Sequence, residues 1–101
     1  MYAVIFRARS AKPDGQYDEF YSEMVAKMRD LAFQRYGCRD FLSLSEGAEE
    51  VTISYWDDEE SIRRWKNDPD HAFAQQRGQD SWYDYYKVQV VEIRREYEFS
   101  R

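Results

Sequence analysis

Two of the three tryptophans and the single histidine of this 101-residue chain fall within residues 54–71, SYWDDEESIRRWKNDPDH. Asp68 is a good helix cap and Pro69 suits the first helical position, so His71 falls on the first turn of a helix. The positive end of the helix dipole disfavours the imidazolium there and keeps the ring neutral at pH 7. A neutral imidazole beside Trp65 is suited to taking a proton from a phenol. The alternative is a surface histidine that hydrogen-bonds Asp68 or Asp70. Trp65, three residues after Ile62, is also what a core-facing helical stripe requires.

Other chemistries lack their residues. The four glycines stand apart at 15, 37, 47 and 78, so there is no phosphate-cradling loop. One histidine and one cysteine cannot make a zinc site, and no metal or other cofactor is expected. Cys38 reads as a small buried residue, without a second cysteine for redox work. The acidic run Asp57 to Glu60 reads as a helix start facing water. Arg7 and Arg9 share a strand face. They either steady a developing negative charge or pair with carboxylates at an interface.

The composition narrows the partners. A net charge of -5 argues against nucleic acid and against anionic membrane surfaces. The apolar opening MYAVIF is too short for a signal or a membrane span, and a lone cysteine suits a reducing compartment, so a cytoplasmic protein is expected. One domain over residues 1–101 fits the length. Hydrophobic residues at 43% suffice for a core, under a polar surface with a mean hydropathy of -0.94.

The elements that must position these residues follow from periodicity. Residues 2–9 alternate as a strand with both faces apolar at first. Pro13 and Gly15 break it, Asp14 is a candidate cap, and Asp18 and Glu19 suit a helix start. A helix over residues 16–36 carries Tyr17, Phe20, Tyr21, Met24, Val25, Met28, Leu31 and Ala32 at helical spacing, and Gly37 ends it. Strands over 41–46 and 51–56 are joined by Gly47-Ala48-Glu49-Glu50. In the second, Val51, Ile53 and Tyr55 share one face, and Thr52, Ser54 and Trp56 the other. A short helix follows Asp57. A second runs from Pro69 to Arg77, pauses at Gly78 and resumes over 81–85, with Trp82 to Tyr86 as a packing anchor. A last strand spans 87–97. Its apolar residues change faces midway, which predicts a bulge or two different partners.

The order β-α-β-β-α-β predicts an α+β, ferredoxin-like fold with a four-stranded antiparallel sheet and helices on one face. The other face needs a cover, and a second copy of the chain is the economical one.

The strand end Ser54-Tyr55-Trp56, the acidic residues after it, Trp65-Lys66, and Asp68-Pro69-Asp70-His71 resemble the antibiotic biosynthesis monooxygenase family. Arg7-Ala8-Arg9 and Tyr86-Lys87-Val88-Gln89-Val90 extend the resemblance over nearly the whole chain. It implies a homodimeric α+β barrel. Some members oxidise anthrones or hydroquinones to quinones with O2, without metal or flavin, and others open the haem ring. In the quinone-forming members a Trp matching Trp65 lines the pocket. Their Asn one turn earlier is Ser61 here, and their Tyr six residues later is His71. The haem-degrading members use a first-strand Asn, where this chain has Phe6-Arg7, and a His ten residues past the Trp, here Gln75.

The resulting expectation is a cofactor-independent monooxygenase acting on a small aromatic phenol, hydroquinone or anthrone. His71 and Arg7 are its candidate catalytic residues, and Trp65, Tyr55 and Ser61 its candidate substrate-binding residues. The alternatives are a non-catalytic dimeric domain that binds a small ligand, and a haem-binding relative that uses His71.

Overall fold

The first strand, β1 (Tyr2–Ser10), lies at the centre of a four-stranded antiparallel sheet, which explains why both its faces begin apolar. A computed structural model describes residues 1–12, 17 and 19–101. The expected break at Pro13 and Gly15, the cap at Asp14 and the contribution of Asp18 lie outside the described residues. The helix α1 (Glu19–Arg35) buries Tyr21, Met24, Met28 and Ala32, the inner line of the predicted stripe. Each such methionine is worth about 1.5–3 kcal/mol in apolar burial. Gly37 ends the helix with φ 78°, a conformation that favours glycine.

The hairpin of β2 (Asp40–Glu46) and β3 (Glu49–Trp56) turns on Gly47 and Ala48 alone. Gly47 takes φ 59°. The connection is two residues shorter than predicted, so Glu49 and Glu50 belong to β3. Strand order is β2-β3-β1-β4, with every neighbouring pair antiparallel. This is the expected ferredoxin-like arrangement.

Two helices join β3 to the last strand. In α2 (Glu59–Lys66), Asp58 accepts a hydrogen bond from the Ser61 amide at 2.7 Å, and Ile62 and Trp65 are buried. In α3 (Pro69–Arg77), Asp68 caps by accepting from the Asp70 amide at 2.9 Å. The chain then neither pauses nor resumes as an α-helix. Residues Gly78–Trp82 form a wide π turn, closed by the Tyr83 amide donating to the Gly78 carbonyl.

The last strand, β4 (Tyr83–Glu92), therefore begins four residues earlier than predicted and ends five earlier. Of the two explanations for its change of apolar face, a bulge or two different partners, a mid-strand bulge is absent. Tyr85 to Glu92 face β1 in one register, and the single shift lies where Ser10 meets Tyr83. The apolar residues occupy both faces because both faces of the sheet are apolar. Val88 and Val4 face the helices, while Val91 and Ile5 face the opposite way.

The helices cover one side of the sheet over a core that includes Val4, Met24, Trp56, Ile62 and Trp65. The other side carries Ile5, Ile53, Val51, Leu42 and Leu44, with Leu44 64% and Leu42 46% exposed. Among the described residues, no helix is long and apolar enough to cross a membrane.

Candidate active site

A cavity of about 170 Å³ lies between the sheet and its helices. Val4, Phe6, Thr52 and Val88 form its floor from three strands. Met24 and Met28 of α1, Trp65 of α2 and His71 of α3 enclose it from above.

Trp65 is fixed on three sides. It is 7% exposed, its Nε1 donates to the Met28 carbonyl at 3.1 Å, and its ring lies 5.1 Å from that of Trp56. Trp56 is completely buried and donates to Ser54 Oγ at 2.9 Å. The His71 ring meets Trp65 edge to face, with centroids 4.6 Å apart and planes at 77°.

Burial, and next the positive charge of Lys66, hold the His71 imidazolium down to a pKa of about 4. Its own backbone and Asp68 act weakly the other way. Asp68 is occupied elsewhere, accepting from the Tyr36 hydroxyl at 2.6 Å and from the Asp70 amide. Those bonds, Tyr36 foremost, hold its carboxyl below the usual range. Asp70 pairs with Lys27 at 3.2 Å. The surface pairing considered for His71 is therefore not what Nδ1 makes. That atom is buried and has no hydrogen-bond partner among the described residues.

The sequence-derived set separates in space. Trp65 and His71 come together on the cavity wall. Arg7 does not join them: it lies opposite Val51 and Lys87 on the sheet face away from the helices, and is exposed. Tyr55, across from Ala3, lies on that same outer face. Strand alternation is the cause, since Arg7 shares parity with Ala3 and Ile5, and Tyr55 with Val51 and Ile53. Ser61 sits in the first turn of α2 with its amide on the Asp58 cap, outside the cavity lining.

A second polar group in the wall is absent from that set. Glu50, 9% exposed, accepts from the Tyr21 hydroxyl at 2.8 and 2.9 Å and from the Tyr17 hydroxyl at 3.2 Å. Tyr83 bonds the Tyr21 hydroxyl at 3.1 Å. Burial, followed by the charge of Glu50, pushes Tyr17 up to about 12 and raises Tyr83 as well. Burial is the main cause of the rise at Tyr21 too. All three phenols are hydrogen-bond donors at neutral pH. Placing Glu50 in the strand would have given it the parity of Thr52, Ser54 and Trp56, and hence the inner face.

Cys38 is buried, its Sγ donates to the Asp40 carbonyl at 3.2 Å, and burial pushes its thiol up, so it is not an activated nucleophile. Among the described residues, no three His, Cys, Asp or Glu side chains stand together as metal ligands. The arrangement offers a mainly apolar pocket with a neutral imidazole, a buried carboxylate and Lys66 in its wall.

The chain is 32% identical over 96 residues to the uncharacterized protein YqjZ of Bacillus subtilis, covering 94% of this chain and 81% of YqjZ. It is 28% identical to the jasmonate monooxygenase ABM of Pyricularia oryzae over 92% of this chain. It spans only 43% of that protein. No protein-family model matches. Among solved structures, Rv0793 from Mycobacterium tuberculosis superposes with a TM-score of 0.77 at 17% identity, covering 96% of this chain and 98% of that one. SnoaB, a cofactor-independent oxygenase from Streptomyces nogalater, gives 0.73 at 14% identity over 94% of each chain. An antibiotic biosynthesis monooxygenase gives 0.74 at 10% identity over 92% of this chain and 98% of that one. At these identities the structural likeness is one of fold.

Proposed function

We propose that the chain belongs to the antibiotic biosynthesis monooxygenase family and is a cofactor-independent monooxygenase oxidising a small phenol or hydroquinone with O2, a reading supported by its likeness to the jasmonate monooxygenase ABM and by the fold it shares with SnoaB. The observation that carries the reading is the neutral His71 ring, with Nδ1 unpartnered, set against Trp65 on the wall of an apolar cavity. The imidazole accepts the phenolic proton, and the electron-rich anion supplies the electrons that reduce O2. Lys66, which also lines the cavity, is placed to steady the anion in the role first considered for Arg7. Exclusion of water by the aromatic wall protects the anion from reprotonation.

The cavity size refines the substrate. A volume of about 170 Å³ is close to the ~150 Å³ of an apolar cavity that holds benzene. A single ring fits better than the three fused rings of an anthrone, and a haem macrocycle is larger still.

A homodimer accompanies this reading. The row of Leu42, Leu44, Val51 and Ile53 on the outer sheet face is apolar and open, and a second copy laid on it completes an α+β barrel. Arg7 and Tyr55 then belong to the contact between copies.

Oxygen uptake with a panel of hydroquinones, measured for the wild type and His71→Ala, tests the reading. Uptake above the spontaneous rate should fall by about 10²-fold or more in the variant. Equal uptake by both proteins would remove His71 from the chemistry. One observation favours a second reading, a ligand-binding domain without turnover: a His held near 4 is a weak base. Binding of the ring compounds without any oxygen uptake would establish that reading.

A further inference from the structure

Glu50 is a buried carboxylate with no cation paired to it among the described residues. Tyrosine hydroxyls supply its hydrogen bonds. Charge buried in this way is costly, and a neutral glutamine could hold two tyrosines equally well. Glu50 and Tyr21 also form a shared wall. They line the aromatic cavity on one side and a second cavity of about 230 Å³, with Ser43, Ser45 and Glu49, on the other.

The direction of the hydrogen bonds can be deduced. Tyr21 has one hydroxyl hydrogen, and Glu50 receives it. Tyr83 must therefore donate its own hydrogen to the Tyr21 oxygen across the 3.1 Å contact. The Tyr83 oxygen keeps its lone pairs, and it accepts from no described residue. Tyr83 lines the first cavity, with Phe6 against its ring at 5.5 Å. Every donor in this chain points toward Glu50, so a ligand group meeting Tyr83 must itself be a donor. A hydroxyl satisfies that, whereas an ether or carbonyl oxygen would oppose lone pair to lone pair.

We propose that Glu50, reached through Tyr83 and Tyr21, is the terminal acceptor for the proton of a substrate hydroxyl at the Tyr83 end of the cavity. The inference rests on the reading that the cavity takes a phenolic ring. In the step, the substrate O–H bond breaks and its proton passes to the Tyr83 oxygen. Tyr83 passes its own proton to Tyr21, and Tyr21 passes its own to a Glu50 oxygen. The substrate keeps the electron pair, both tyrosines end as they began, and Glu50 becomes a neutral acid. No oxidant is involved. The second cavity gives Glu50 an outlet to water.

The Tyr83 end lies beside Gly78, which directly follows α3 and stands seven residues after His71.

The test uses 4-nitrophenol, whose anion absorbs apart from the neutral form, with the pH set so that the free probe is mostly neutral. Bound anion is measured anaerobically for the wild type, Glu50→Gln, Tyr83→Phe and His71→Ala. 4-Nitroanisole, which has no proton to lose, serves as the binding control. Glu50→Gln and Tyr83→Phe should each lower the bound anion fraction about tenfold, the worth of one hydrogen bond to a charged group. Both should leave nitroanisole binding in place, whereas a merely structural role would weaken both ligands together. If Glu50→Gln fails to fold, Tyr83→Phe, which deletes one oxygen, decides alone. Loss of the anion in His71→Ala only, or in no variant, overturns the proposal. The two readings separate cleanly. Anion formation that depends on Glu50 without oxygen uptake leaves the relay standing and removes the oxygenase. Oxygen uptake indifferent to Glu50 does the reverse.

Discussion

The rings of His71 and Trp65 meet edge to face at 4.6 Å, and this contact ties the electrostatics of the pocket to the stability of the chain. The imidazole titrates near ~6.5 when unfolded and near 4 when folded. Between those values the unfolded chain binds the extra proton. The contribution of His71 is therefore complete above about pH 6.5 and is lost as the pH falls toward 4. His71→Phe keeps the ring and removes the titration. Urea midpoints from pH 7 down to 4 should fall less steeply in the variant, the difference reaching at most about 3 kcal/mol. Parallel curves would show that the imidazole is not buried.

Trp65 holds the Met28 carbonyl through its ring N–H. Trp65→Phe removes that added hydrogen bond, while the carbonyl keeps its partner within α1, and should cost about 0.5–1.5 kcal/mol. Trp65→Ala also opens a void and should cost about 3–5 kcal/mol. Chemical denaturation of the two variants would separate the hydrogen bond from the packing.

Asp68 fastens the start of α3, and so the turn that carries His71. Removing its carboxylate in Asp68→Ala takes away the cap and should cost about 1–2 kcal/mol. Amide exchange would localise the damage. The amides of residues 70–72 should exchange faster, while those of α1 keep their protection.

Gly78 has ordinary helical backbone angles but no room for a side chain. A Cβ there would lie 2.9 and 3.0 Å from two ring carbons of Tyr83. Gly78→Ala should therefore cost about 1–3 kcal/mol by overpacking, and should displace the Tyr83 hydroxyl from Tyr21. A thermal melt reads the first effect, and the tyrosine signals in an NMR spectrum the second.

Leu44 is the most exposed of the apolar residues on the outer sheet face. Leu44→Asp places a charge there and should turn the dimer proposed above into a monomer. Sedimentation at matched concentrations decides: a wild type already monomeric would remove the dimer, and a dimeric variant would move its contact elsewhere.

Much of the architecture was legible in the chain. The 3.6-residue stripe of α1 and the parity of β3 are burial patterns, and burial dictates both. The Asp68-Pro69 cap placed His71 on its turn because capping is local chemistry. Legibility ended where local signals conflict. Tyr83 to Tyr86 suits helix or strand, and pairing with β1, a contact distant in sequence, decides for strand. Glu50 was missed because a carboxylate next to a glycine turn looks exposed. The hydroxyls of Tyr17 and Tyr21, brought to it by the fold, make its burial tolerable. Arg7 and Tyr55 lie on the outer sheet face, away from the cavity; their parity was readable, but which face the helices cover was not.

The π turn between α3 and β4 bears on what the chain tolerates over generations. Gln79, Asp80 and Ser81 are exposed, so their identities are weakly constrained. Their number is another matter. Losing one residue would return the turn to α-helical pitch and rotate the start of β4 by roughly 100°. Trp82 could then no longer point into the core while Tyr83 pairs with Ser10. Substitutions should accumulate freely at these three positions, while insertions and deletions are purged. The segment would then drift in composition and stay fixed in length.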